Sequence, residues 1–306
     1  MRLVARMVLV WIVSVSSIAT AQRAATPAET TFVLDWPAGA EATVVASRVI
    51  QNPFRGSTIS SEARFSMTVT RAAGTTTLTS RDLSLAPIRE RMAEDALHAA
   101  LVATMYLPSA TLTRTGGVGA LVDPGGSRRA IESAVASALP EETRAGPLWE
   151  MVSGAWSSDR ALEASARSTI EMMLASLASR SLVPGRSVEA TGASELIVSG
   201  VRVSQRGTLQ MVRTLPCFDG DAPDRCAEVT MRTVPDPAAL ARIAEAAGLG
   251  SLEMSMDAVL VTEPRTLLPH RCEVRTRRRY AIPVGGATRQ IEELEIRTWR
   301  FTYRAR

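Results

Sequence analysis

Few side chains in this sequence are equipped for chemistry, and its three cysteines, Cys217, Cys226 and Cys272, come first. Cys217 and Cys226 bracket Phe218 to Arg225, a run containing Gly220 and Pro223 that turns the chain and brings the ends of two neighbouring strands together. The shortest loop costs the least entropy to close, so a Cys217–Cys226 disulfide is expected, contributing about 2–3 kcal/mol. Cys272 is then left as a buried free thiol on a strand rather than a nucleophile. The same loop carries Asp219, Asp221 and Asp224, oxygen ligands of the kind calcium takes. The glycine and the distal glutamate of an EF-hand loop are misplaced, so solvated carboxylates without a metal ion are expected.

The two histidines, His98 and His270, form no zinc-type spacing, and no Gly-x-Ser-x-Gly elbow exists for a serine hydrolase. His98 stands four residues after Glu94 and is expected to make a surface contact with it on a helix. His270 begins a strand. Gly117-Val118-Gly119 lacks the third glycine and the following helix of a nucleotide loop, and reads as a turn before Ala120 to Val122. All 35 basic residues are arginine. Without lysine there is no Schiff base, which excludes pyridoxal-phosphate enzymes and Schiff-base aldolases. Ser-x-x-Lys acyl transfer, the Walker loop and kinase-type catalysis fall with them. No catalytic residue and no cofactor is assigned.

Positive charge is concentrated at Arg271, Arg275, Arg277, Arg278 and Arg279. If Gly285-Gly286 form the centre of a hairpin turn, Arg278 faces Glu293 and Arg279 faces Glu292. Such cross-strand pairs contribute roughly 0.2–1 kcal/mol each and account for most of the cluster. Binding of an anionic ligand or a membrane surface at Arg275, Arg277, Arg278 and Arg279 is the alternative.

The elements that must hold these residues are mostly strands. Stretches from Thr31 to Trp36, Thr43 to Ile50, Arg64 to Thr70 and Thr75 to Leu83 are strand-like; in the third Phe65, Met67 and Val69 alternate with polar residues, and Ala73-Gly74 turns it into the fourth. A helix is expected from Pro87 to about Tyr106, followed by short strands at Ala110 to Thr115 and Val118 to Val122. Ser127 is expected to cap a helix to about Leu139, and Asp159 another to about Arg180. In the latter, Leu162, Ala166, Ile170, Met173 and Leu177 recur every three to four residues, with a Glu163–Arg167 pair on the far side.

Strands return at Ser187 to Ala190, Leu196 to Ser204, Thr208 to Leu215 and Cys226 to Thr233. Asp236-Pro237 and Gly248 then bound a helix. Leu252, Met254, Met256, Ala258 and Leu260 alternate with polar residues in the cleanest strand of the chain, with an apolar face directed at the core. Two long strands, about His270 to Ile282 and Arg289 to Tyr303, close the sequence, with Trp299, Phe301 and Tyr303 on one face as core. The class expected is α+β: a largely antiparallel sheet of meanders and hairpins, packed on one face by several helices.

At the N-terminus Arg2 and Arg6 precede an apolar run from Met7 to Ile18 and the small residues Ala19-Thr20-Ala21. This reads as a signal peptide, residues 1–21, cleaved before Gln22. Ser14, Ser16 and Ser17 interrupt the run, which is too short for a spanning helix, and no cysteine is near to take a lipid. Residues 22–29 read as a flexible lead-in and 30–306 as a single domain, or two lobes meeting near 184–186. With Arg2 and Arg6 removed, 33 arginines against 31 carboxylates leave about +2, too balanced for a nucleic-acid partner. No transmembrane segment is expected in the mature chain.

A curved antiparallel sheet covered by helices behind a signal peptide resembles the general plan of periplasmic lipoprotein and lipid carriers. The likeness is of plan alone and transfers no residues. The expectation is a non-catalytic exported protein, periplasmic or extracellular, binding an apolar or amphipathic, lipid-like ligand or a cell-envelope protein on its sheet. The alternatives are a carboxylate-based, glycosidase-like hydrolase and a structural envelope component.

Overall fold

The computed structural model describes residues 28–51, 56–88, 90, 92–196, 201–284 and 287–304. Segment 1–21, most of the lead-in and Gly285-Gly286 lie outside the described residues. From the N-terminus the chain forms β1 (Thr30–Thr31), β2 (Glu41–Gln51), β3 (Thr58–Ala72), β4 (Thr75–Leu85), α1 (Ala93–Ala100), β5 (Ala110–Leu112), β6 (Val118–Leu121), α2 (Pro124–Ala138), α3 (Gly146–Ser153) and α4 (Asp159–Met173). It continues through β7 (Ser181–Leu182), β8 (Ser187–Leu196), β9 (Val201–Leu215), β10 (Cys226–Pro235), α5 (Pro237–Ala246), β11 (Ser251–Thr262), β12 (Pro269–Val284) and β13 (Ala287–Tyr303).

Eleven of the strands make one antiparallel sheet in the order β6-β5-β4-β3-β2-β13-β12-β11-β10-β9-β8, and β1 pairs with β7 apart from it. The protein is therefore α+β, as expected from the alternation. The sheet is two meanders, one from each half of the chain, joined where β2 pairs with β13. Its two edge strands, β6 and β8, both lie against α4. The sheet thus curls into a partly closed barrel with α4 in the gap, which also shields edges that would otherwise offer unpaired backbone groups.

Inside, the helices meet the apolar side of β2, β3, β4 and β13. Trp299 donates its indole N–H to Met105 O at 2.9 Å, and Trp36 donates to Leu267 O at 2.9 Å, so both buried rings have their polar atom satisfied. Gly116, at φ +79°, forms a turn so close to Leu174 and Ala175 at the end of α4 that an added Cβ would sit 2.9 Å from them. Glycine is required there both for its backbone angle and for its lack of a side chain.

Several expected boundaries move. The run from Thr31 to Trp36 is not a sheet strand, because Val33 and Asp35 donate to Pro264 O and Thr266 O of a turn instead. The helix expected from Pro87 starts at Ala93, since Ala86 N still bonds Glu62 O and Met92 is extended. Asp123, not Ser127, caps α2, accepting from Gly126 N at 2.7 Å with Pro124 in the first turn. Ser158 rather than Asp159 caps α4, which ends at Met173 rather than near Arg180. The stretch from Leu196 to Leu215 is mostly one long strand, β9, and not two. α3 was not expected at all; only Val152 of it is buried, so it carries no apolar stripe to read.

Candidate amphipathic site on the inner sheet face

Cross-strand registers sort the inner face into rows. In one row Val229, Leu260, Cys272, Trp299, Ala46 and Ala63 stand side by side on six strands, all buried. The next row along the strands reads Met231, Ala258, Val274, Arg297, Arg48 and Ser61. The row after that reads Thr233, Met256, Thr276, Glu295, Ile50 and Ile59, and beyond it lie Met254, Arg278 and Glu293. Within three residues of each strand, the face passes from dry core to charged groups beside methionines.

The apolar face of β11 follows the same gradient. Ala258 and Leu260 are core, as expected, but Leu252, Met254 and Met256 are only half-buried. α5 packs on this face further out, holding Val203 and Leu252 through Ala239 and Ile243. Gly207 keeps the surface beside Thr233 flat, since a Cβ there would lie 2.5 Å from Arg232 O. Met231, Met254 and Met256 therefore form a patch of flexible, polarisable side chains on a rigid sheet.

The charged part is a single network. Glu295, 1% exposed, accepts from Arg48 Nε at 2.7 Å, Arg297 Nε at 2.8 Å and Arg278 Nη2 at 3.1 Å, while Arg278 also pairs with Glu293. Arg48 further donates to His98 O at 2.6 Å, which ties α1 to the sheet. Burial pushes the Glu295 carboxyl up, but Arg297, Arg48 and Arg278 outweigh it and hold the group well below the usual carboxylate range. Burial also pulls Arg48 down from the ordinary guanidinium value, against the pull of Glu295. Among the described residues three guanidiniums share two carboxylates, an excess of one positive charge. Burying such groups costs more than an apolar core of the same volume, so stability alone does not account for them.

A recess of about 370 Å³ opens at the same end of the sheet, between β3 and the chain leading to α1, lined by Ser60, Ser61, Glu62, Pro87, Ile88 and Glu90. That is the lower range of ligand-pocket volumes. Among the described residues of its lining the charged side chains are Glu62 and Glu90.

The residues singled out from sequence fall in several places. Arg275, Arg277 and Arg279 project from the outer face, paired with Glu273 at 2.8 Å and, for the latter two, with Glu292 at 3.2 Å. Arg278 alone turns inward. The pairings Arg278–Glu293 and Arg279–Glu292 are those expected from the turn. His98 is half-buried rather than on the surface, and its buried Nδ1 has no hydrogen-bond partner among the described residues. Cys217 and Cys226 are joined in a disulfide. Cys272 is a free, buried thiol, pushed up to about 12 by burial. Asp221 accepts from Ala222 N at 2.9 Å and pairs with Arg225, and the three loop aspartates do not converge as ligands.

Arg48, Glu295 and Arg297 escaped the sequence reading. A signal was there: Arg48 takes an apolar position in the alternation Val44, Ala46, Arg48, Ile50, and Glu295 and Arg297 share the parity of Trp299 and Phe301.

No protein-family model and no curated protein matches the chain. Among solved structures it is similar to lipovitellin, from a structure titled for lipid–protein interactions, with a TM-score of 0.41 and 7% identity over 89% of this chain and 26% of that one. The chain thus spans about a quarter of that protein's length, and a likeness of this degree carries no argument about activity.

Proposed function

We propose that the protein is an exported, non-catalytic carrier of an amphipathic, lipid-like molecule, with the acyl part on Met231, Met254 and Met256 and an anionic head at Arg278 and Arg297. The observation that supports this reading most is the half-burial of the apolar side of β11 next to a network with excess positive charge. A sheet face made only for stability would be covered or polar. Export through residues 1–21 accords with the Cys217–Cys226 disulfide, since such bonds persist in oxidising compartments.

The hydrolase alternative needs a carboxyl kept protonated, and Glu263, Glu273 and Glu295 are each held below the ordinary carboxylate range instead. Glu263 is held down by its hydrogen bond from His270. At Glu273 and Glu295 burial pushes up, but their arginines win. A second reading, docking of a cell-envelope protein, is favoured by one observation: α3 leaves Leu148 and Met151 exposed.

Native mass spectrometry of the protein from the exported fraction, with titration of a fluorescent fatty-acid analogue, tests the carrier reading. The Met254→Asp/Met256→Asp variant should lose at least about tenfold in affinity, equivalent to ~1.4 kcal/mol. Met254→Leu should bind like the parent. An apo mass together with no saturable binding of the probe overturns the reading.

A further inference from the structure

At the opposite end of the barrel, Cys217 Sγ, Cys226 Sγ and a ring nitrogen of His270 lie within 4.8 Å of one another. Among the described residues this is the one convergence of three histidine, cysteine or carboxylate ligand atoms. Cys226 opens β10 and His270 stands near the start of β12, so two of the three are held by the sheet, and the cysteine Cα atoms are 5.1 Å apart. His270 Nε2 is 3.2 Å from Glu263 Oε1. Glu263 is itself fixed, accepting from Thr266 Oγ1 at 3.0 Å and pairing with Arg225 at 3.3 Å. On its other side the imidazole packs edge-on against Tyr303, 5.3 Å between ring centres, and Tyr303 is anchored by its hydroxyl donating to Pro269 O.

A carboxylate hydrogen-bonded to one nitrogen of an imidazole is the usual support of a histidine that binds a metal through the other, fixing its orientation and tautomer. We propose that Cys217, Cys226 and His270 form a redox-gated site for a thiophilic divalent cation of the zinc class, closed while the disulfide stands and opened when a dithiol reduces it. Glu263 is the positioning residue.

Zinc takes thiolate at about 2.3 Å and imidazole at about 2.0–2.1 Å, which sets tetrahedral donors roughly 3.5–4 Å apart. Once the disulfide is reduced, the two sulfurs have to move apart to reach that spacing, on cysteines whose Cα atoms are 5.1 Å apart. In the reduction, the dithiol becomes a disulfide while the Cys217–Cys226 bond takes up two electrons and two protons. The cation then displaces both thiol protons. Two thiolates neutralise the dipositive ion, and sulfur with imidazole selects zinc over magnesium or calcium. In an oxidising compartment the disulfide is the resting form, so the site responds to reducing conditions.

Anaerobic titration of the full mature chain with Co(II), before and after reduction by a phosphine, tests this. The reduced protein should bind one equivalent, with thiolate-to-cobalt charge transfer and tetrahedral d–d bands that Zn(II) abolishes; the oxidised protein should show neither. Glu263→Gln should weaken binding about 10–100-fold while keeping the tetrahedral bands. His270→Asn should weaken it further and shift those bands, and Cys272→Ala, which leaves the pair intact, should change nothing. Far-UV circular dichroism follows folding of the reduced form. Equal Co(II) binding before and after reduction overturns the proposal. So does undiminished binding by His270→Asn, which is the outcome if an unfolded reduced chain binds through its cysteines alone.

Discussion

The two faces of the β12–β13 hairpin use the same residue types to opposite ends. On the outer face Arg277 and Arg279 share Glu292, with arginines 55% exposed and the glutamate 49%. Arg278 lies between them in sequence, yet the two-residue period of the strand turns it inward to Glu293 and to Glu295, which is 1% exposed. Outer pairs sit in water, where screening and side-chain entropy leave little net gain. Glu295 and Arg48 have given up water and depend on each other, so the loss of either leaves an unmatched buried charge. Depth, and not the number of ion pairs, decides which arginines matter.

The strongest attempt to break this contrast is Glu295→Gln, which takes the carboxylate from Arg48 and Arg297 and leaves Arg278 with Glu293 alone. It should cost about 3–5 kcal/mol of unfolding free energy in urea. A cost below about 1 kcal/mol would put inner and outer faces on the same footing. Acid comes next. The carboxyl of Glu295 sits well below its ordinary value of 4.5 in the folded protein, so the folded state binds fewer protons than the unfolded chain. Its stabilisation is present above that value and is lost as pH falls through the window beneath it. Thermal melts from pH 6 downward should therefore show a steeper acid decline in the parent than in Glu295→Gln. The smallest effect belongs to Arg279→Ala on the outer face, about 0–1 kcal/mol and vanishing in high salt. A larger, salt-resistant loss would show the outer pairs to be as interdependent as the inner ones.

Local rules made much of this architecture readable. The register of Arg278 with Glu293 followed from the position of the turn, and the start of α5 from Asp236-Pro237, whose carboxylate accepts from Ala238 N. The apolar alternation of β11 gave the correct face but not its burial, because alternation marks which side chains point inward and not how far the cover, α5 over Leu252 and the main core beside Met256, extends along the strand. Arg48 and Glu295 pair across 247 positions, beyond any local pattern. The curl that brings β6 and β8 to α4 is likewise a property of the whole sheet's twist. The convergence of His270 on Cys217 and Cys226 needed the β10–β11–β12 registers before it could be seen.

The union of the two meanders has a kinetic consequence. Val44 pairs with Phe301, so the seam at the middle of the sheet joins strands from opposite ends of the chain. Each meander forms by hairpins between neighbours, but the seam requires closing nearly the whole chain as one loop, an entropic barrier that slows folding. Until it zips, β2 and β13 are both open edges carrying core side chains such as Val44, Trp299 and Phe301. That interval is when the chain most needs a holding partner against self-association.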